Sequence, residues 1–313
     1  MKYKTTTGIF ALTILALLFS VSCSKSGDVT SNTTFLPLSD QNNSGDWILN
    51  EDVSDEFDAS ILDESKWLIQ GRNGEYQSNH TGRAPSQFST ENVRLENGYL
   101  KMETRWEPDY NFSPQFDRQG NRYENITTAA IITKKSFKYG YLEIKAKAAD
   151  AEVSSTFWGT GSNTELDFYE FFGKHNQQNK LWKEREFWWS IHDWTSQGGG
   201  ATTYTESHDL GFRVADDFHI YGFDWSEKGI KIYIDGQLYR DVSKTQINAF
   251  NDSSHHSGGN GESLNYVVTK PIKLWISQAT FPWHGVPDNI EELGTNGIVD
   301  YEVDYLRVWQ KSD

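Results

Sequence analysis

Residues 165–170 read Glu165-Leu166-Asp167-Phe168-Tyr169-Glu170, three carboxylates interleaved with apolar side chains. Large aromatic residues flank the run, among them Phe157, Trp158, Phe171 and Phe172. On a regular strand, positions i and i+2 share a face, so Glu165 and Asp167 point one way and Leu166 and Phe168 the other. Glu170, five positions after Glu165, falls on the wrong face. One extra residue in the strand, a β-bulge, returns it to the row of Glu165 and Asp167. The stretch therefore predicts a bulged strand, with Leu166 and Phe168 in a core and three acids together on an open surface.

Such a row suits cleavage of a glycosidic bond. One carboxyl group attacks the anomeric carbon or activates water, and the other protonates the leaving oxygen; a separation of about 5–5.5 Å goes with retention and roughly 6.5–9.5 Å with inversion. At ~3.3 Å per residue the two outer glutamate backbones stand roughly 13 Å apart, and their side chains can lean toward each other over the shorter Asp167. Acids this close cannot all be ionised, so their pKa values must separate. One Glu stays ionised as nucleophile, the other keeps its proton as general acid, and Asp167 orients the nucleophile. Alternating carboxylates also form solvated strand faces and calcium sites. The aromatic flanks argue against a solvated face.

Helical periodicity is nearly absent elsewhere. Short alternating runs bounded by Gly, Asn, Asp and Ser recur at 93–95, 99–104, 128–133, 139–147, 187–192, 219–225, 230–234, 272–278 and 301–310. Asn97-Gly98 and Asp235-Gly236 are hairpin signals. Many short strands with such turns predict an all-β domain, a β-sandwich or jelly roll. Residues 107–125 and 251–262 read as loops on one rim. His255-His256, in the second loop, reads as part of a polar segment, because no acid or Cys nearby in sequence completes a metal site.

The chain has 313 residues. Lys2 and Lys4 precede an apolar stretch over 9–21, so residues 1–22 read as a signal peptide, too short to span a membrane. Ser20-Val21-Ser22-Cys23 resembles a bacterial lipobox, which makes Cys23, the only cysteine, the lipidation site. An ordinary signal peptide cut nearby is the alternative. Residues 23–45, rich in Ser, Asn, Thr and Asp, read as a flexible tether, and 46–313 as one domain. With no cysteine left for a disulfide, that domain rests on its hydrophobic core. The net charge of −15 argues against a nucleic-acid partner. Twelve Trp, fifteen Tyr and eighteen Phe suit a cleft that holds sugar rings by their C–H faces. The expectation is an exported monomer, either secreted or an outer-membrane or cell-surface lipoprotein. It would touch a membrane only through lipid on Cys23 and need no cofactor for catalysis.

The chain resembles glycoside hydrolase family 16. The resemblance is carried by the Glu-x-Asp-x-x-Glu motif at 165–170, with Ser54-Asp55-Glu56-Phe57, Thr127-Thr128-Ala129-Ala130-Ile131, Tyr139-Gly140-Tyr141-Leu142-Glu143, Ser154-Ser155-Thr156-Phe157-Trp158 and Asp304-Tyr305-Leu306-Arg307-Val308-Trp309. These pieces lie in the family's order over roughly 47–311. The resemblance implies a β-jelly roll with an open concave substrate cleft, Glu165 as nucleophile, Asp167 as its assistant and Glu170 as acid/base, with retention and endo cleavage of a β-linked chain. It also implies substrate contacts from Trp158, His192, Trp189, Trp194 and Arg83. His192 would come from a neighbouring strand, with a satisfied core histidine as the alternative. A structural calcium held by Asp304 and the Gly98 carbonyl is a further implication. Gly82-Arg83-Ala84-Pro85-Ser86-Gln87-Phe88 resembles the agarase and porphyranase branch, in which Arg83 would bind sugar hydroxyls or a sulfate, or tie a loop. The first expectation is a β-1,4 agarase acting on red-algal galactans. A porphyranase, a carrageenan or furcellaran hydrolase, a laminarin-type β-glucanase and a glycan-binding lipoprotein stay open.

Overall fold

The computed structural model describes residues 35–195, 201–250, 256–257 and 263–311. The signal peptide, Cys23, the first part of the tether and His255 lie outside them. Among the described residues, no helix is long and apolar enough to cross a membrane.

Two sheets face each other across the core. The first has seven strands, in the order Ala201–Asp209, Glu186–Asp193, Thr164–Phe172, Ser154–Gly161, Lys273–Ala279, Ala130–Thr133 and Trp67–Ile69. The second has eleven, with Gly140–Lys147, His219–Ser226 and Ile298–Lys311 near its centre. The pairings are antiparallel except for Ser86–Phe88 against Ile126–Thr128. The result is the predicted all-β sandwich jelly roll. Asn97 and Gly98 take φ of 56° and 80°, and Asp235 and Gly236 take 49° and 77°. Both dipeptides thus form the left-handed turns that suit a twisted hairpin.

The core lies between the sheets, where Leu166, Phe168, Phe157 and Ile276 of the first meet Ile144, Phe223, Leu306 and Val308 of the second. Phe157 stacks on Phe168 with ring centres 4.9 Å apart. Burying each such side chain contributes roughly 1.5–3 kcal/mol. The opposite face of the seven-stranded sheet carries a second, smaller apolar cluster of Ala130, Ile132 and Trp275 with Phe88, and polar side chains beside it.

Two expectations need correction here. Residues 35–45, read as the end of a flexible tether, lie on the eleven-stranded sheet. Trp309 Nε1 donates to the Phe35 carbonyl at 2.8 Å, and Leu38 N–H to buried Glu143 at 2.8 Å. Asp40 accepts from the amides of Ser44 and Gly45. The Asn, Ser and Asp content that reads as loose is here used for side-chain-capped turns.

The expected calcium donors do not fit the ion. Asp304 Oδ2 accepts from Lys145 Nζ at 2.7 Å, so an ammonium group already holds the place and charge of a cation. Gly98 belongs to the hairpin turn, and one engaged carboxylate with one carbonyl is far short of the 6–8 oxygens that calcium takes.

Candidate active site

The bulge is present. On the neighbouring strand Phe157 faces Tyr169 and Trp158 faces Asp167, so Phe168 is the additional residue. Phe168 and Tyr169 both enter the core, and the Tyr169 hydroxyl meets that of Tyr301 at 2.5 Å. Past the bulge the alternation resumes with the opposite parity, which turns Glu170 outward to join Glu165 and Asp167. The partners of Glu165 and Glu170 are Thr160 and Thr156, four positions apart, or about 13 Å of strand. All three carboxyl groups line one cleft of about 690 Å³.

The strand Glu186–Asp193 completes the cluster. His192 sits opposite Glu165 in register, and its Nε2 reaches diagonally to Asp167 Oδ2 at 3.0 Å. Its Nδ1 lies 3.2 Å from Thr202 Oγ1, so both ring nitrogens are engaged. Trp194 Nε1 donates to Glu165 Oε2 at 3.1 Å. Glu165, Asp167 and His192 each present one ligand atom within 4.8 Å of the others, a set able to hold a metal ion.

Protein surrounds the carboxyl groups on all sides but the cleft, and this raises their pKa values. Burial, with Asp167 beside it, pushes Glu165 up to about 8, against the opposing pull of His192, the Trp194 hydrogen bond and Arg83. Burial pushes Asp167 up to about 7, with Arg83 opposing. Glu170 is raised well above the usual range, by burial first and then by Asp167. Of the two glutamates, only Glu165 accepts a hydrogen bond among the described residues, so Glu165 loses its proton before Glu170.

Two expectations follow. Removing the Trp194 donor destabilises the ionised form of Glu165 and raises its pKa. Trp194→Phe should therefore move the acid limb of the kcat/KM profile upward by roughly half to one pH unit. An unmoved limb would show that this hydrogen bond does not control the ionisation. The second concerns stability. Each folded pKa lies above its unfolded value near 4. Between about pH 4 and the folded values of about 7 and about 8, the native state keeps protons that the unfolded chain has released. The contribution is complete below pH 4 and lost as pH rises through the folded values. Glu165→Gln removes an acid that resists ionising, so its Tm should equal the parent's at pH 4.5 and exceed it at pH 9. The gain is roughly 2–4 °C for each kcal/mol recovered.

The cleft walls come from the next two strands and the loops above them. Trp158 faces Trp275 in register, the rings stack 4.4 Å apart, and Trp158 Nε1 donates to Ser277 Oγ at 3.0 Å. His80 packs against Phe88 and Trp275, and Arg118 arrives from the 107–125 loop. Arg83 also lines the cleft, its guanidinium 4.3 Å from the centre of the Phe281 ring. Trp194 is 51% exposed at the mouth.

Trp189 is the exception among the expected contacts. It is 1% exposed, lies in the core and donates through Nε1 to Glu206. Strand parity explains the error: His192, Ser190 and Trp188 share the cleft face, and Trp189 shares the core face with Phe187 and Ile191. The sequence reading missed Trp275, His80 and Arg118. Trp275 carried a usable signal, since the run at 272–278 alternates and places Trp275 on the face opposite Leu274 and Ile276.

Comparison with known proteins identifies the family to which such a fold belongs. The family model described as "Beta-porphyranase A-D, GH16 domain" matches residues 47–311. Beta-porphyranase D of Zobellia galactanivorans is 27% identical over 85% of this chain, and the alignment spans 61% of that relative, less than two thirds of its length. Beta-porphyranase B of Phocaeicola plebeius is 29% identical over 84% of each chain. The crystal structure of porphyranase B from Zobellia galactanivorans superposes with a TM-score of 0.64 at 24% identity, covering 84% of this chain and 92% of the other, and supports the fold alone.

Proposed function

Because the chain belongs to glycoside hydrolase family 16, we propose that it is an endo-acting, retaining galactanase of the porphyranase type. Glu165 is the nucleophile, Asp167 and His192 orient it, and Glu170 is the acid and base. The observation that carries this reading is the bulge at Phe168, which sets three acids with raised pKa values in one row of a sugar-sized cleft. An agarase was the first expectation from the sequence; the match to the porphyranase group and the porphyranases among the relatives favour the branch held as its alternative. Arg83 supports the same preference. Among the described residues no carboxylate lies within ion-pair distance of it, so its guanidinium is available to a sulfate ester on the polymer.

In this mechanism ionised Glu165 attacks the anomeric carbon as Glu170 gives its proton to the leaving oxygen. Glu170, now a carboxylate, then takes a proton from the water that releases the sugar from Glu165. Asp167, bridged to His192, keeps Glu165 aimed across the cleft. We place the enzyme outside the cell as a monomer, attached through Cys23 where that residue is lipidated.

The test is release of reducing ends from porphyran, agarose, carrageenan and laminarin, with Glu165→Gln as control. Porphyran should be cut fastest. Agarose cut as fast or faster would return the agarase reading, laminarin turnover would indicate a β-glucanase, and binding without release would indicate a glycan-binding protein.

A further inference from the structure

We propose that Thr202 is a positioning residue of the active site, brought there by a second β-bulge and acting through His192; the inference rests on the hydrolase reading above. The strand Ala201–Asp209 pairs with Glu186–Asp193 in regular register from Asp209, which faces Glu186, to Tyr204, which faces Ile191. Continued in that register, His192 would face Thr203. It faces Thr202 instead, so Thr203 is the additional residue. Residues that face each other lie on one side of a sheet, and Thr202 thereby joins His192 on the cleft side. Thr203 is buried, and its hydroxyl is shared between the carbonyls of Ile191, at 3.1 Å, and Asn265, at 2.9 Å. These bonds hold the bulge without help from the Thr202 side chain.

A row of three groups results, and it ends beside the nucleophile. Thr202 Oγ1 lies 3.2 Å from His192 Nδ1, and His192 Nε2 lies 3.0 Å from Asp167 Oδ2. An imidazole held through Nε2 alone can swing about that bond, and a second bond at the other nitrogen fixes the plane of the ring. A threonine hydroxyl both donates and accepts, so it serves either tautomer. The neighbours offer no substitute. Trp194 packs beside the ring with centres 5.9 Å apart, but its Nε1 is given to Glu165. Thr205, the next hydroxyl on this side of the strand, is already bonded to Trp188 Nε1 at 2.9 Å and to Ser190 Oγ at 3.0 Å. Loss of the Thr202 hydroxyl therefore frees the ring and, through Asp167, loosens the aim of Glu165. A small error in the placement of an attacking group is felt in kcat.

The experiment measures kcat and KM on the polymer cut fastest in the test above. Thr202→Val keeps the shape of the side chain and removes the hydroxyl. It should lower kcat about tenfold and leave KM within about twofold, because the interaction acts on the attack and not on binding. Thr202→Ala should show the same loss should the valine variant fold poorly, and Thr202→Ser should recover most of the parent rate. In a His192→Ala background, which is itself slowed, Thr202→Val should cost nothing more, since its effect passes through the ring. A parent-like kcat in Thr202→Val and Thr202→Ala, a loss that serine does not recover, or an equal loss without His192 would overturn the proposal. Failure of the hydrolase reading is seen separately, as a parent protein that releases no reducing ends from any of the polymers, and it would take this inference with it.

Discussion

Glu165→Ala is expected to lower kcat on porphyran by roughly 10⁴-fold or more, the scale of deleting a nucleophile, and sodium azide to restore part of the lost rate. The substitution removes the attacking oxygen and opens a small space beneath the anomeric carbon. The remaining groups, Glu170 among them, stay in place, because Leu166 and Phe168 still hold the strand in the core. A small anion entering that space attacks the face that Glu165 attacked. No second displacement follows, so the glycosyl azide should have the inverted configuration. Azide rescue with a retained product would place the nucleophile elsewhere in the row.

Glu170→Ala should behave in the complementary way. On the polysaccharide, whose leaving group is a sugar alkoxide, losing the proton donor removes roughly 10²–10⁴-fold of rate. On an aryl glycoside with a good leaving group, bond breaking needs little protonation, so the first step should run nearly as in the parent. The covalent intermediate should then accumulate, because no base activates water. Azide should speed its release and give a product of retained configuration. The basic limb of the pH profile, which reports loss of the Glu170 proton, should disappear in this variant. If Glu165→Ala gives this pattern and Glu170→Ala the azide inversion, the two roles are reversed.

The fold was legible because its signals are local. Period-two alternation, with Asn97-Gly98 and Asp235-Gly236 at hairpin turns, marks strands that need no long-range information to be recognised. The bulge was legible for a different reason. Three acids spaced i, i+2 and i+5 share one face only if a residue is added, and Phe168 is that residue. Trp189 was misplaced although the alternation that places it in the core is present in the sequence: position 188, not 189, shares parity with His192. Other features depend on partners far away in the chain. Asp304 resembles a calcium ligand until Lys145, 159 residues earlier, is seen to donate to it. The packing of 35–45 against Tyr141, Glu143 and Trp309 is likewise set by the sheet it meets and not by its own composition. His80 and Arg118 reach the cleft from loops, where no periodicity fixes the direction of a side chain.

The measurement closest to the central claim is the anomeric configuration of the first product. Proton NMR of porphyran digestion, followed from the first minutes, should record the β-anomer of the new reducing end before mutarotation produces any α-anomer. That order requires two displacements, and therefore Glu165 and Glu170 brought by the bulge to the short separation of a retaining pair. An α-anomer appearing first would mean a single displacement by water and would contradict the role given to Glu165.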